Sequence, residues 1–576
     1  VRIASDTGDA ETHLAAVPAK ERVALVDARF VGHLHALRLG LTDPRFPAAG
    51  LPGAVSAQPA ARQALTRAVA RERSALSSST VVCENLTDRI AAALDADGVP
   101  VHHPELGTLV AAVPADPQAR NEARQAVAAV DDEAVRLRSA VKARDGFFTT
   151  HCVSPYSRYL ARWCARRGLT PNQVTTASLL TALVAAACAA TGTRGGFVAA
   201  GVLLIASFVL DCADGQLARY SLQYSTLGAW LDATFDRAKE YAYYAGLALG
   251  AARGGDDVWA LALGAMVLQT CRHVVDFAFN EAHVRDSDAV ANTSPTAALS
   301  GRLDSVGWTV WVRRMIVLPI GERWALIAVL TALTTPRITF VVLLVGCAFA
   351  ATYTTAGRVL RSLTRKAQRT DRAARALADL ADSGPIAEAL ARLARRVPPR
   401  APAYIAALIG GAVVVLAAGL APYGSWWPVL GAALYVLQSP LAVARPLKGA
   451  LDWLVPPFFR AAEYGTVLVL AAKADVNGAL PAAFGLVAAV AYHHYDTVYR
   501  IRGDAGAPPH WLVRASGGHE GRTLLVTVLA ALLPAADFKV ALTALAVAVA
   551  LVVLAESIRF WVSAGAPAVH DEGEPA

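Results

Sequence analysis

Between residues 172 and 560 the chain returns twelve times to an apolar run, and it turns basic in alternate gaps. The runs lie near 172–192, 197–218, 226–250, 257–280, 322–335 and 337–357, then near 403–421, 426–442, 457–473, 477–497, 522–535 and 538–560. Lipid offers no partner to a backbone N–H or C=O, so such runs must satisfy themselves as helices. The pattern therefore predicts an all-α polytopic membrane protein: one six-helix bundle followed by a second. A chain that is 55% hydrophobic and 17% charged is not a string of soluble domains. The exception is residues 1–144, which are polar and Arg-rich.

The gaps fix an orientation. One set carries Arg158, Arg162, Arg166, Arg167, Arg219, Arg285, Arg302, Arg313, Arg314, the stretch 358–400, Arg445, Lys448 and residues 500–514. The other holds little beyond Arg194, Arg253, Arg337, Lys473 and Lys539. Positive loops stay inside, so both termini are expected on the cytoplasmic side of the cell membrane. The net charge of +8 is spent on topology and is no sign of a nucleic-acid partner. SPYSRYLARWCARRG, before the first run, suits a helix lying among headgroups. The seven cysteines are scattered and form no CxxC pair. They read as packing residues rather than disulfides or zinc ligands.

The second run ends in DCADGQLARYSLQYSTLGAWLDATFD (211–236). An aspartate at the centre of a membrane helix costs about 2.5–3.5 kcal/mol, and four would cost about 10–14 kcal/mol, the scale of a whole domain's stability. Asp211 and Asp214 are three apart, Asp232 and Asp236 four apart, so each pair shares a helix face. A short link makes the two helices antiparallel neighbours, and the four carboxylates converge at a cytoplasmic mouth. Hard divalent cations relieve such repulsion, and four carboxylates suit two ions better than one. Gly215 and Gly228 leave room for close approach, and Arg219 offers a fork for phosphate. A lone membrane aspartate is often only an interhelical hydrogen-bond partner; four at this spacing point to a pyrophosphate-bearing substrate.

The pattern Asp-x-x-Asp-Gly-x-x-Ala-Arg, eight residues, Gly, three, Asp, three, Asp resembles the signature of the CDP-alcohol phosphotransferases. Its eight fixed positions are Asp211, Asp214, Gly215, Ala218, Arg219, Gly228, Asp232 and Asp236. The resemblance covers residues 145–365 and implies six helices preceded by a surface helix. It implies that Asp211, Asp214 and Asp232 bind two divalent ions, Mg²⁺ or Mn²⁺. Asp236 beside them would be the base, and Gly215, Ala218, Arg219 and Gly228 would hold CDP. The implied reaction is attack of an alcohol on the β-phosphorus of a CDP-alcohol with release of CMP, one substrate being free to be lipid. It implies pairing too, as a homodimer or as a pseudo-dimer within one chain.

Lys142, Asp145, Gly146, Ser154, Thr170, Pro171 and Asn172 resemble the linker of the branch that joins CDP-inositol to inositol phosphate, often fused to a cytidylyltransferase. The same residues also serve as turn and helix-start signals. Upstream, RVALVDARFVGHL and STVVCENL read as strands, and ARQALTRAVARERSAL and QARNEARQAVAAVDDEAVRLRSAV as helices. A small α/β domain over 1–144 follows. It has no Gly-rich phosphate loop, so a nucleotidyltransferase ancestor would have lost its activity here. Asp27 and His35 form no recognisable constellation.

Residues 366–400 read as one basic cytoplasmic helix, and 566–576 as a disordered tail. Residues 401–565 echo the first bundle. Aligning Arg237-Ala-x-Glu-Tyr with Arg460-Ala-x-Glu-Tyr puts Val455 and Phe459 at the places of Asp232 and Asp236, and Leu437 and Pro440 at those of Asp211 and Asp214. Alanine- and leucine-rich helices also align by chance; if the duplication is real, the copy has lost every ligand. His273/Asp276 and His493/Asp496 recur at the same spacing and read as interhelical hydrogen-bonders. Together with His519 they leave the second bundle without a nameable ligand. Two alternatives to an enzyme are a twelve-helix secondary transporter and a non-catalytic scaffold. Against the first, the carboxylates lie in one half only, whereas carriers share their site between halves.

Overall fold

The computed structural model describes residues 1–77, 86–142, 145–283, 311, 315–364, 369–396, 401–503 and 505–563. Arg285, Arg302, Arg313 and Arg314, the tail and nearly all of STVVCENL lie outside them.

The N-terminal region is α/β, as its composition suggests. Strands β1 (Val23–Val26), β3 (Ala48–Leu51), β4 (Ala54–Ala57) and β5 (Val101–His102) form one sheet in the order β1-β4-β3-β5. β2 (Val31–Gly32) pairs with β6 (Ala111–Ala112). The β3–β4 hairpin turns at Gly53, whose φ of 83° suits a residue without a Cβ. Helices α1 (Thr7–Ala15), α3 (Arg62–Ser77) and α4 (Leu86–Ala96) close a core of Val55, Leu65, Ile90 and Leu94. α2 (Leu34–Leu41) packs on the same hairpin. The single helix expected over 118–141 is two, α5 (Pro117–Ala128) and α6 (Asp132–Ser139). Asp131 separates them, its side chain capping the backbone N–H groups of Glu133 and Ala134.

The amphipathic stretch is a helix, α7 (Ser154–Arg166), with Ser157, Ala161 and Cys164 buried and Tyr156, Tyr159 and Trp163 exposed. Thr-Pro-Asn is a helix start. Thr170 and Gln173 form a capping box and Pro171 takes the first helical position of α8 (Pro171–Ala190). α9 (Arg194–Ser221), α10 (Thr226–Arg253), α11 (Trp259–His283), α12 (Ile320–Leu333) and α13 (Pro336–Thr364) follow. The stretch 366–400 holds two helices rather than one, α14 (Asp371–Ala381) and α15 (Pro385–Ala394). Between them Asp382 adopts a left-handed φ of 53°, and Gly384-Pro385 restarts the helix. The remainder is α16 (Ala403–Leu420), α17 (Trp427–Val443), α18 (Val455–Lys473), α19 (Ala479–Arg502), α20 (His510–Ser516), α21 (Gly518–Leu532) and α22 (Ala535–Ser563).

Among the described residues, five helices, α8, α9, α13, α16 and α22, are long and apolar enough to cross a membrane. The chain is thus a mostly helical multi-pass membrane protein. α10, α11, α18 and α19 carry more polar groups and bury them against their neighbours. Small residues let α10 lie against α8: a Cβ on Gly246 or Gly250 would strike the Ala186 or Ala189 carbonyl.

The helical regions on either side of 366–400 pack directly together. His273 on α11 meets the Tyr495 hydroxyl on α19, and Arg237 on α10 lies 5.5 Å from the Tyr495 ring centre. Trp230 stacks on Trp561 with centroids 6.0 Å apart, and Trp259 meets Phe484 edge-on at 5.8 Å.

Candidate active site

The four aspartates occupy two consecutive helices. Asp211 and Asp214 lie near the C-terminal end of α9, and Asp232 and Asp236 near the N-terminal end of α10. The connection is tight because both ends are capped. Gln223 N–H donates to the Ala218 carbonyl (3.0 Å), Leu222 is left-handed, and the Ser225 hydroxyl accepts from Gly228 N–H (2.9 Å). Ala218 thus sits in the last turn of α9 and Gly228 in the first turn of α10.

One carboxylate oxygen each from Asp211, Asp214 and Asp232 lies within 4.8 Å of the others. Asp214 is buried, and its Oδ2 has no hydrogen-bond partner among the described residues. Asp232 lies at the open side. Three carboxylate oxygens so close, with Asp214 buried and one of its oxygens without a donor among the described residues, are a fitting donor set for a hard divalent cation. Asp211, Asp214 and Asp232 would hold it.

Asp236 lies beside Asp211, within hydrogen-bonding reach of it, and faces Lys239, which sequence reasoning passed over. The Lys239 ammonium is fully buried; it contacts Asp211 Oδ1, reaches Asp236 Oδ1 at 2.9 Å and donates to the Ser178 hydroxyl at 3.2 Å. Its signal was register. Lys239 lies seven residues after Asp232 and three after Asp236, on the same helix face.

The residues expected to hold CDP flank this cluster. Arg219 donates from Nε to the Ala140 carbonyl (2.6 Å), anchoring the guanidinium to the segment before α7. Its Nη atoms are 3.5–3.6 Å from where a Gly215 Cβ would lie. A Cβ on Gly228 would come within 2.7 Å of Asn172 Oδ1, so the first turn of α10 meets the start of α8. Asp27 pairs with Arg29 at 2.9 Å and His35 is buried in the N-terminal region, away from this cluster.

Behind the site, Glu240 is buried between two guanidiniums, Arg237 (3.0 Å) and Arg323 (3.1 Å). The second helical region repeats this arrangement, with Glu463 between Arg460 (2.9 Å) and Arg522 (2.5 Å). There Asp382 adds a second carboxylate, 2.9 Å from Arg460 and 2.7 Å from Arg522. Val455 and Phe459 are buried, and Phe459 stacks on His519, whose Nδ1 meets the Tyr435 hydroxyl at 2.6 Å. Leu437 is exposed and Pro440 is buried inside α17. The recurring His/Asp pairs turn to other partners among the described residues. Asp276 pairs with Arg358, His493 with Asp382 (3.2 Å), and Asp496 accepts from Ser557 and Trp561 (2.7 Å each).

Residues 168–352 match the family model for CDP-alcohol phosphatidyltransferase, and residues 371–576 that for a family of unknown function (DUF5941). Over 131 residues the chain is 37% identical to the phosphatidylinositol phosphate synthase of Streptomyces avermitilis, covering 21% of this chain and 51% of that protein. It is 30% identical over 113 residues to the archaetidylinositol phosphate synthase of Pyrococcus horikoshii, covering 20% and 58%. It is also 30% identical over 114 residues to the bifunctional IPC transferase and DIPP synthase of Aquifex aeolicus, covering 20% and 26%. These matches thus span between a quarter and three fifths of each relative. Fold, site and family model together mark a membrane-embedded domain similar to the CDP-alcohol phosphatidyltransferases. Residues 168–352 carry that match, and two of these relatives are a phosphatidylinositol phosphate synthase and an archaetidylinositol phosphate synthase.

Proposed function

We propose that the chain moves a substituted phosphate from a CDP-alcohol to the hydroxyl of an alcohol acceptor, releasing CMP, in phospholipid or phosphoinositol-type synthesis. The observation that carries this reading is the convergence of Asp211, Asp214 and Asp232 beside Gly215, Arg219 and Gly228. Arg219 and the glycines receive the CDP phosphates close to the backbone. Asp236, beside the cluster, takes the proton of the attacking hydroxyl as the new oxygen–phosphorus bond forms and the bond to CMP breaks. A divalent ion, Mg²⁺ or Mn²⁺, supplies charge neutralisation on the pyrophosphate and on departing CMP. The site opens at a helix end, so a lipid substrate and a water-soluble one reach it from different sides. The basic loops beside α7, α9 and α19 favour a cytoplasmic mouth and cytoplasmic termini.

The remainder of the chain is read as support. Residues 1–144 are a cytoplasmic α/β domain, 145–365 the catalytic six-helix bundle and 401–565 a degenerate copy. Favouring the copy are the matched Arg–Glu–Arg groups, Arg237–Glu240–Arg323 and Arg460–Glu463–Arg522, on matching helices. The copy then fills the place a second subunit would take, a pseudo-dimer in one chain.

The test is CMP release by the purified chain. CDP-diacylglycerol and CDP-inositol are each offered with inositol phosphate and other polyol acceptors, with Mg²⁺ or with chelator. Metal-dependent CMP release with one donor–acceptor pair is expected. No CMP from any pair, or undiminished release in excess chelator, refutes the reading.

A further inference from the structure

We infer that Lys239 is a built-in countercation that occupies the Asp211–Asp236 side of the site, so that the site takes one divalent ion and not two. The inference rests on the metal-dependent transferase reading and concerns the ion count, which that reading leaves open.

An ammonium has three donors and no acceptor. Three acceptors surround the Lys239 Nζ: Asp211 Oδ1, Asp236 Oδ1 and Ser178 Oγ. Ser178 is itself fixed, donating to the Ser207 carbonyl at 2.9 Å and lying 3.1 Å from the Ser207 hydroxyl. The Trp324 ring, centred 5.3 Å away, adds an electron-rich face. Asp211 and Ser178 accept hydrogen bonds and Asp236 Oδ1 completes an ion pair, so the chain itself supplies a cation here. A solvent-exposed lysine would leave readily, but the side chain of Lys239 has no accessible surface. Burial of an unpaired charge is prohibitive, so both carboxylates are needed where they stand.

The two sides of the cluster therefore differ. Asp211, Asp214 and Asp232 each bring an oxygen within 4.8 Å of the others, whereas Asp211 and Asp236 are the carboxylates that pair with Lys239 among the described residues. An ion bridging Asp211 and Asp236 would have to share their oxygens with the ammonium, at close range and with the same sign of charge. Charge counting agrees. Four carboxylates carry −4, Lys239 brings this to −3, and one dication brings it to −1 before the anionic donor arrives.

The second helical region gives an internal control. In the Arg-Ala-x-Glu-Tyr register Lys239 faces Ala462, while Arg237, Glu240 and Tyr241 face Arg460, Glu463 and Tyr464. Where the aspartates are replaced by apolar residues the lysine is replaced too, and the Arg–Glu pair stays. Lys239 therefore goes with the carboxylate site and not with the packing of the helix.

The experiment counts Mn²⁺ on the intact chain in detergent, by elemental analysis and by electron paramagnetic resonance, which separates an isolated ion from a spin-coupled pair. Wild type should bind one ion per chain with the signal of an isolated ion. Lys239→Met should bind two with a coupled signal, and Lys239→Arg should stay at one. Two coupled ions in wild type overturn the inference and leave the metal-site reading intact; no bound ion overturns both. A folded Lys239→Met that stays at one ion shows that the lysine is not what excludes the second. If Lys239→Met does not fold, the wild-type count and its spin signature decide alone.

Discussion

Glu240 is the carboxylate that holds both Arg237 and Arg323 among the described residues, and it also accepts from the Tyr244 hydroxyl at 2.7 Å. Glu240 and Arg323 are almost wholly buried. Glu240→Gln keeps the shape and removes the charge, taking from both guanidiniums the carboxylate that pairs with them among the described residues. Breaking a buried pair from one side costs about 3–5 kcal/mol. Glu463→Gln is the matched change in the second region, but there Asp382 still lies between Arg460 and Arg522. Its cost should be nearer that of hydrogen bonds to charged groups, about 1.5–3 kcal/mol. Adding Asp382→Asn to Glu463→Gln should restore the larger loss. The assay is unfolding of the full chain in mixed dodecylmaltoside–SDS micelles, followed by tryptophan fluorescence. Equal losses for Glu240→Gln and Glu463→Gln, or a Glu240→Gln chain as stable as wild type, would refute the charge argument.

Asn at Asp211, Asp214 or Asp232 should each lower CMP release by orders of magnitude and weaken Mn²⁺ binding, read by titration; unchanged Mn²⁺ affinity would remove that residue from the ligand set. Asp236→Asn should retain CMP and Mn²⁺ binding while transfer falls about 10²–10⁴-fold; loss of nucleotide binding would make Asp236 chiefly a binding residue. Burial pushes the Asp382 carboxyl up, but Arg460, Arg522 and His493 overcome that and hold it well below the usual carboxylate range. A depressed folded pKa stabilises above the unfolded value of about 3.9 and is lost as pH falls further. Asp382→Asn should therefore cost stability at pH 7, and the gap from wild type should shrink below about pH 4; a pH-independent gap counts against it. Trp561→Ala should lower turnover with no ligand touched, because Trp561 stacks on Trp230, two residues before Asp232. Wild-type rates in Trp561→Ala would show that this stack does not position Asp232.

The helical positions were legible because lipid leaves the backbone one option and because the punctuation is local. Thr170-Pro171 and Thr193 start α8 and α9, and left-handed Leu222 ends α9. Reading 366–400 as one helix failed where the signals were present but outvoted. Ala-rich helical composition runs through Asp382-Ser-Gly-Pro, yet Gly384 and Pro385 mark a restart. That break has a use, since it carries Asp382 to Arg460 and Arg522 and lets Glu520 accept from Gly384 and Ala387 N–H. In the site, the aspartates stood out because charge in an apolar run is conspicuous. Lys239 did not, because Arg237 and Glu240 beside it make the stretch read as one solvated charge cluster. Only the helical face separates them: Lys239 turns to the aspartates, while Arg237 and Glu240 turn to Arg323 and His273. Pairings between distant segments, such as Tyr495 with His273, have no local signature at all.

If the second helical region is a copy that lost its carboxylates, it need not have been freed from selection. α10 carries half of the site and must hold Asp232 and Asp236 in register with α9. On one side it is fixed by α8, through Gly246 and Gly250. On the other it meets α19 and α22, where Arg237 lies over Tyr495 and Trp230 on Trp561. Trp561 is itself tied to Asp496, which Arg500 holds at 2.9 Å, and Arg500 reaches Glu556 on α22. The wall behind α10 is thus a cross-braced polar lattice rather than a lipid-exposed face. On the duplication reading, apolar Val455 and Phe459 at the positions aligned with Asp232 and Asp236 carry no desolvation cost, so that half can be more stable than the half it supports. On the proposed reading, the copy gave up chemistry and kept the Arg–Glu–Arg brace and the surface that holds α10 in place.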